Sequence, residues 1–245
     1  ALVARVAAME AAALGRVMCD IRIVLERGFR GIKEACEAKL EQADPGEAEK
    51  RRFWEAAVLV CDAVRRFAER YAEEAEALSA EETDPVQKAE LERIAEVCRR
   101  VPWNPAGTFH EAVQSVWFTM LLALTEHNGE APGIGRLDQV LHPYYEKESK
   151  EGLLTREQAI ELIQCLMLKV NEAPKARPSA QLTKFGEVGH TNVSNHITLG
   201  GQTTDGRDAT NEMTYLILDA YEGLRLPRPQ MSLRVHSRTP FELLY

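Results

Sequence analysis

One segment constrains this chain more than any other. From Thr108 onward, "TFHEAVQSVWFTMLLALTE" keeps helical spacing yet places Val113, Val116, Trp117, Phe118, Met120, Leu121, Leu122 and Leu124 on nearly every face. A helix that is apolar all round has no side for water, so it must be buried inside a larger structure. Thr108 followed three residues later by Glu111 reads as a capping box that sets its start. A second box, Thr155 with Gln158, opens "AIELIQCLMLKV", another largely buried helix.

The sequence before this segment is helical and of an ordinary amphipathic kind. Ile23 to Leu40 places Ile23, Leu25, Phe29, Ile32, Ala35, Cys36 and Leu40 at near-helical spacing. Gly28 and Gly31 weaken that helix or let another backbone come close. "ADPG" breaks the pattern, and a second helix from about Glu47 to Leu78 carries Trp54, Val58, Cys61, Val64, Phe67, Tyr71 and Leu78 inward. "TDP" at 83–85 reads as a cap with proline in the first turn of a third helix, which runs to about Arg100.

After residue 190 the period changes. "VSNHITLGGQ" is β-branched, partly alternating, and ends in a diglycine turn. "RDATNEMTYLILDAYEGLRL" is helical, and "PQMSLRVH" alternates again. Strand, helix, strand predicts a βαβ unit and an α/β layer. In "TPFELLY", Thr239 reads as a cap with Pro240 at the first helical position. A chain that stops one turn later, and that lacks a starting methionine, is expected to be a piece of a longer protein.

Composition excludes several functions. The net charge is −8, against a nucleic-acid face, which needs a surplus of lysine and arginine. No apolar run approaches the roughly 20 residues that cross a bilayer. Cys19, Cys36, Cys61, Cys98 and Cys165 show no CxxC spacing and read as reduced structural thiols in a cytoplasmic protein. Six histidines without HExxH or paired spacing predict no metal site.

Four stretches, in order, carry a resemblance: "TFHEAVQSVWF" (108–118), "GIGRLDQVLHPYYEKE" (133–148), "NHITLGGQTTDGRDATNEMTYLILDA" (195–220) and "LPRPQMSLRVHSRTPFELL" (226–244), with a weaker match in "DIRIVLERGFRGI" (20–32). Together they resemble the glycyl radical enzymes of the pyruvate formate-lyase-like superfamily. The resemblance implies an α/β fold with a mostly helical amino-terminal half, part of a ten-stranded α/β barrel. Residues 1–107 would be the helical region and 108–245 the start of the barrel core. It also implies a small-molecule substrate, a homodimer, and no bound cofactor. A backbone glycyl radical would be installed by an S-adenosylmethionine/iron–sulfur activase and relayed to a cysteine whose thiyl radical attacks the substrate. None of the five cysteines lies in the family's Gly-Cys context, and the glycyl motif is absent. Both are expected beyond Tyr245, so no catalytic residue is assigned here, and the chain alone is expected to be inactive.

The glycine-rich loop "HNGEAPGIGR" (127–136) is not a phosphate cradle, because no P-loop lysine follows it. Diol dehydratases that the chain resembles carry a His-Ser pair after the Asn-Gly. Glu130 and Ala131 stand there in this chain. Alanine cannot bond a hydroxyl, which argues against simple diol dehydration. Glu130 is a candidate base or polar-group ligand, with a solvated loop carboxylate as the plainer reading. Arg16 aligns with a pocket position of the family and would bind a substrate carboxylate; otherwise it is a surface arginine. Asn195, His196 and Thr198 lie on a strand that could line the pocket. Arg136, Asp138 and Gln139 read as structural pins. Asp20 reads as a helix cap, and His110 as a core hydrogen-bonding group. The expected reaction makes or breaks a C–C or C–heteroatom bond, as a lyase other than a diol dehydratase. The alternatives are a non-catalytic scaffold that kept the fold, or a glycerol/diol dehydratase or formate acetyltransferase.

Overall fold

The computed structural model describes residues 18–126, 133–172, 196–226 and 228–244. Two compact units divide them: Asp20–Phe118, and the described residues on either side of that span.

The first unit is helical. Helix α1, Ile21–Gln42, starts after Asp20, which occupies the cap position but makes no side-chain capping bond. Gly28 breaks the helix with φ 64° and ψ 169°. A Cβ there would lie 2.2 Å from the Trp103 carbonyl oxygen, so only glycine admits this approach. The amide donors freed by the kink find new acceptors. Phe29 N–H donates to the Pro102 carbonyl at 2.8 Å and Arg30 N–H to the Trp103 carbonyl at 2.9 Å. Gly31 makes no such backbone approach; its nearest neighbour is the Arg27 side chain.

Helix α2, Ala48–Glu81, buries Cys61, Val64, Ala68, Ala72, Ala75 and Ser79. The expected inward face is therefore rotated: Tyr71 is 44% and Leu78 48% exposed. Small residues won because they let the neighbouring helix α3, Pro85–Arg100, come close. Ala68 and Ala72 share a cluster there with Cys98 and Phe118. The large rings flank the seam, with Phe118 edge-on to Phe67 and Tyr71 at 5.9 and 5.5 Å. Asp84 caps α3 by accepting from Val86 N–H at 2.8 Å and Gln87 N–H at 3.3 Å, with Pro85 as first helical residue.

Helix α4, Phe109–Glu126, runs from the first unit into the second. Phe109, Ala112, Val116 and Phe118 are essentially sealed from water. Each of the two phenyl groups contributes roughly 1.5–3 kcal/mol by burial. Thr108 Oγ1 accepts from Glu111 N–H at 3.1 Å, as expected of a cap, while the Glu111 carboxylate accepts from Gly107 N–H and pairs with Arg100 at 2.7 Å.

The second unit is α/β. Strand β1, Gly135–Arg136, leads directly into helix α5, Leu137–Lys150. Helix α6, Arg156–Glu172, starts at a reciprocal box in which Gln158 N–H donates to Thr155 Oγ1 and Thr155 N–H to Gln158 Oε1. Strand β2, His196–Gly200, helix α7, Glu212–Leu224, and strand β3, Gln230–Arg234, form the expected parallel βαβ unit. Asn211 caps α7 through a box with Thr214. The sheet runs β1-β2-β3, and Met18 adds a parallel bridge to Gly133. Ile197 and Leu199 of β2 are buried on the helix side. The chain's last turn differs from expectation. Phe241–Leu243 is a 3₁₀ turn after Pro240, and Thr239 Oγ1 accepts from His236 N–H instead of capping forward. A side-chain acceptor immediately before a proline serves the preceding turn as readily as the following one.

Candidate functional site

The carboxyl end of β2 is a diglycine, Gly200–Gly201, with φ of 64° and 87°. Four backbone groups there are held by side chains more than thirty residues away in sequence. Arg136, ending β1, donates through Nη2 to the Gly200 carbonyl at 2.5 Å and through Nη1 to the Gln202 carbonyl at 3.0 Å. Its guanidinium grips loop carbonyls in a fork.

Asp138, in the first turn of α5, is wholly buried. One carboxylate oxygen accepts from Gly200 N–H at 2.7 Å and Thr214 Oγ1 at 2.8 Å; the other accepts from Gln139 N–H at 2.8 Å. A buried carboxylate is tolerated when donors replace its lost water. Gln139 then donates from Nε2 to the Ala209 carbonyl at 2.6 Å. Arg136, Asp138 and Gln139 thus tie β1 and α5 to the end of β2 and the start of α7.

Sequence reasoning missed the fourth member. His236 Nδ1 accepts from Arg238 N–H at 3.2 Å, which leaves the ring proton on Nε2. That nitrogen faces Asp208 Oδ1 at 2.9 Å and the Gly201 carbonyl at 3.1 Å. The available signal was faint: a histidine two residues past a strand that pairs with the diglycine strand.

Of the expected substrate-facing residues, His196 stands at the opposite end of the sheet. Met18 bridges Gly133, Ile134 N–H donates to the His196 carbonyl at 3.1 Å, and His196 is level with Gln230. All these segments run in one direction, so the chain comes into each of them at the same end of the sheet. His196 is exposed there, and Thr198 is half-buried one step along the same face. Arg16, Glu130 and Asn195 lie outside the described residues, as does Ala131.

The buried thiols are poor nucleophiles, whereas Cys19 is half-buried and Cys165 exposed. Cys36, Cys61 and Cys98 are buried in helices, and burial pushes the Cys61 and Cys98 thiols up to about 11, suppressing the reactive thiolate. His110 is half-buried in α4, where desolvation and then Arg93 lower its pKa. Among the described residues no cluster of three or more His, Cys, Asp or Glu is placed to hold a metal ion. None of their helices is long and apolar enough to cross a membrane.

The model of the pyruvate formate lyase-like family matches residues 2–245. The chain belongs to the pyruvate formate lyase-like family. Within it, the chain is 43% identical over 232 residues to an isethionate sulfite-lyase of Nitratidesulfovibrio vulgaris, covering 92% of this chain and 28% of that protein. It is 36% identical to a trans-4-hydroxy-L-proline dehydratase of Clostridioides difficile, covering 96% of this chain and 30% of the relative. A solved glycyl radical enzyme from Archaeoglobus fulgidus superposes with a TM-score of 0.88 at 36% identity, over 96% of this chain and 30% of that structure. The chain therefore spans under a third of the length of these pyruvate formate lyase-like relatives. The helices and the small parallel sheet are a part of the glycyl radical enzyme fold.

Proposed function

We propose that the chain is the amino-terminal and middle part of a glycyl radical lyase that cleaves a carbon–heteroatom bond, foremost carbon–sulfur, in a small organic anion. The observation that carries the reading is the 43% identity with an isethionate sulfite-lyase across 92% of the chain. Ala131 supports it, because a methyl group in place of a hydroxyl removes the hydrogen bond a diol would need. The carbon–sulfur emphasis separates this reading from the hydroxyproline dehydratase, whose match is weaker.

In this reading the glycyl radical, installed by a radical S-adenosylmethionine activase, supplies the one-electron chemistry from another part of a cytoplasmic homodimer. The residues of this chain bind and orient. Arg16 would hold the anionic group, Glu130 would orient or deprotonate the polar end, and Asn195 and His196 would line the wall between them. Arg136, Asp138 and Gln139 would keep β1 and β2 in register, so that their pocket ends stay aligned.

The test is anaerobic activation of the complete natural gene product. Electron paramagnetic resonance should give a glycyl-type doublet, and isethionate should release sulfite. A doublet without sulfite release would move the assignment to another substrate. No doublet with a competent activase would leave a scaffold that has lost the chemistry.

A further inference from the structure

Arg136, Asp138 and His236 hold the diglycine end of β2, and of these only His236 is an imidazole, the group that changes charge near neutral pH. Its two ring nitrogens serve two different segments. Nε2 faces the loop that leaves β2, at Asp208 Oδ1, 2.9 Å away, and at the Gly201 carbonyl, 3.1 Å away. Nδ1 faces the turn that leaves β3, where it accepts from Arg238 N–H at 3.2 Å. The ring thus joins two segments that follow neighbouring parallel strands.

Further bonds fix both segments where the ring meets them. In the loop, Asp208 accepts from Thr210 Oγ1 at 3.1 Å and Thr210 N–H at 3.2 Å, and Gln202 and Asp208 form an antiparallel bridge. The Gly201 carbonyl also accepts from Ala209 N–H at 2.9 Å. In the turn, His236 N–H donates to Thr239 Oγ1 at 2.9 Å and Thr239 N–H to the His236 carbonyl at 3.0 Å.

The two nitrogens answer a proton in opposite senses. Nε2 already carries a hydrogen, so a positive ring strengthens its bond to the Asp208 carboxylate. Nδ1 offers only a lone pair. A proton from solvent occupies that lone pair, and the ring then sets an N–H against the N–H of Arg238. The surrounding charges bear on when the proton arrives, not on which bond it breaks. Asp208 is the carboxylate paired with the ring among the described residues, while Asp205 and Arg207 of the same loop pair with each other. The Arg238 guanidinium donates to the Gly206 carbonyl at 3.4 Å, and Arg234 of β3 lies beside Gly201.

We propose that His236 is a proton-operated clamp. Neutral, it holds both the loop after β2 and the turn after β3. Protonated, it keeps the loop through Asp208 and releases the turn at Arg238. The clamp stands apart from the lyase reading, since His236 follows the carboxyl end of β3 and His196 begins β2.

Residue-resolved hydrogen exchange on the complete, unactivated protein tests the clamp, with rates corrected for the intrinsic effect of pH. Between about pH 8 and about pH 5.5, the span over which an imidazole takes up its proton, Arg238 N–H should lose about fivefold in protection, the effect of one hydrogen bond. Ala209 N–H, which reports on the loop, should keep its protection. His236→Asn places an uncharged acceptor oxygen where Nδ1 stands, so protection of Arg238 N–H should become independent of pH. Equal protection of Arg238 N–H at both pH values in the unaltered protein would overturn the proposal. So would an equal loss at Ala209 N–H, the mark of acid opening of the whole corner, or a loss in His236→Asn as large as in the unaltered protein. If His236→Asn does not fold, the two amides of the unaltered protein decide the question by themselves.

Discussion

The helical unit and the sheet unit are held together by opposite means. In Asp20–Phe118 the close contacts are backbone and small side chains: the Gly28 kink against Trp103, and Ala68 and Ala72 in the seam between α2 and α3. Most of its charged groups lie outside, as in Arg66 with Glu73 or Arg99 with Glu76, where exposed pairs add little; the buried Glu111 at the start of α4 is the exception. In the sheet unit a charge sits at the centre. Asp138 is fully buried and joins β2 and α7 to α5 through three donors. The helical unit thus depends on steric fit, which fails gradually. The sheet unit depends on a polar junction, which fails at a single atom.

The largest effect expected from breaking this contrast comes from Asp138→Ala. It leaves Gly200 N–H, Thr214 Oγ1 and Gln139 N–H without their acceptor, and should cost about 3–5 kcal/mol in denaturant unfolding. A loss below 1 kcal/mol would show the junction to be dispensable. Gly28→Ala attacks the helical unit where its backbone is tightest, adding a left-handed strain to a clash. A loss of about 2–4 kcal/mol is expected, read from the thermal midpoint.

A third pair of variants sharpens the rotated face of α2. Ala72→Leu should cost about 1–3 kcal/mol by overpacking. Tyr71→Ala should cost about 1 kcal/mol or less, since only the rings of Phe67 and Phe118 lose a neighbour. The reverse order would restore Tyr71 to the core face.

The smallest effect is electrostatic. Burial and Arg93 depress the folded pKa of His110, with Glu111 opposing. The unfolded chain then takes up that proton first, so stability is highest above the unfolded value, near 6.5, and falls as pH drops through it towards the folded value. His110→Gln should flatten the slope of unfolding midpoint against pH between about 5 and 7. An unchanged slope would assign the pH dependence to another group.

Local chemistry was legible wherever a residue acts within its own turn. Asp84 with Pro85, Thr155 with Gln158 and the β2–α7–β3 alternation each declare themselves over a few positions. Strand β1 was not legible, because two residues between a glycine-rich loop and a helix show no period. The inward face of α2 was misread for a related reason. Hydrophobicity ranked Tyr71 and Leu78 above alanine, but the approach of α3 rewarded the smaller side chain.

The helices, the βαβ order and the family were readable along the chain, because capping, periodicity and ordered motifs are properties of neighbouring residues. What Asp138 and His236 hold emerged from the packing alone, since their partners at Gly200, Thr214, Asp208 and Gly201 lie from 28 to 76 positions away. The packing also decided which face of the sheet is left polar. Register across three strands, absent from any one of them, brings Arg136, Thr198, Ser232 and Arg234 onto the same side.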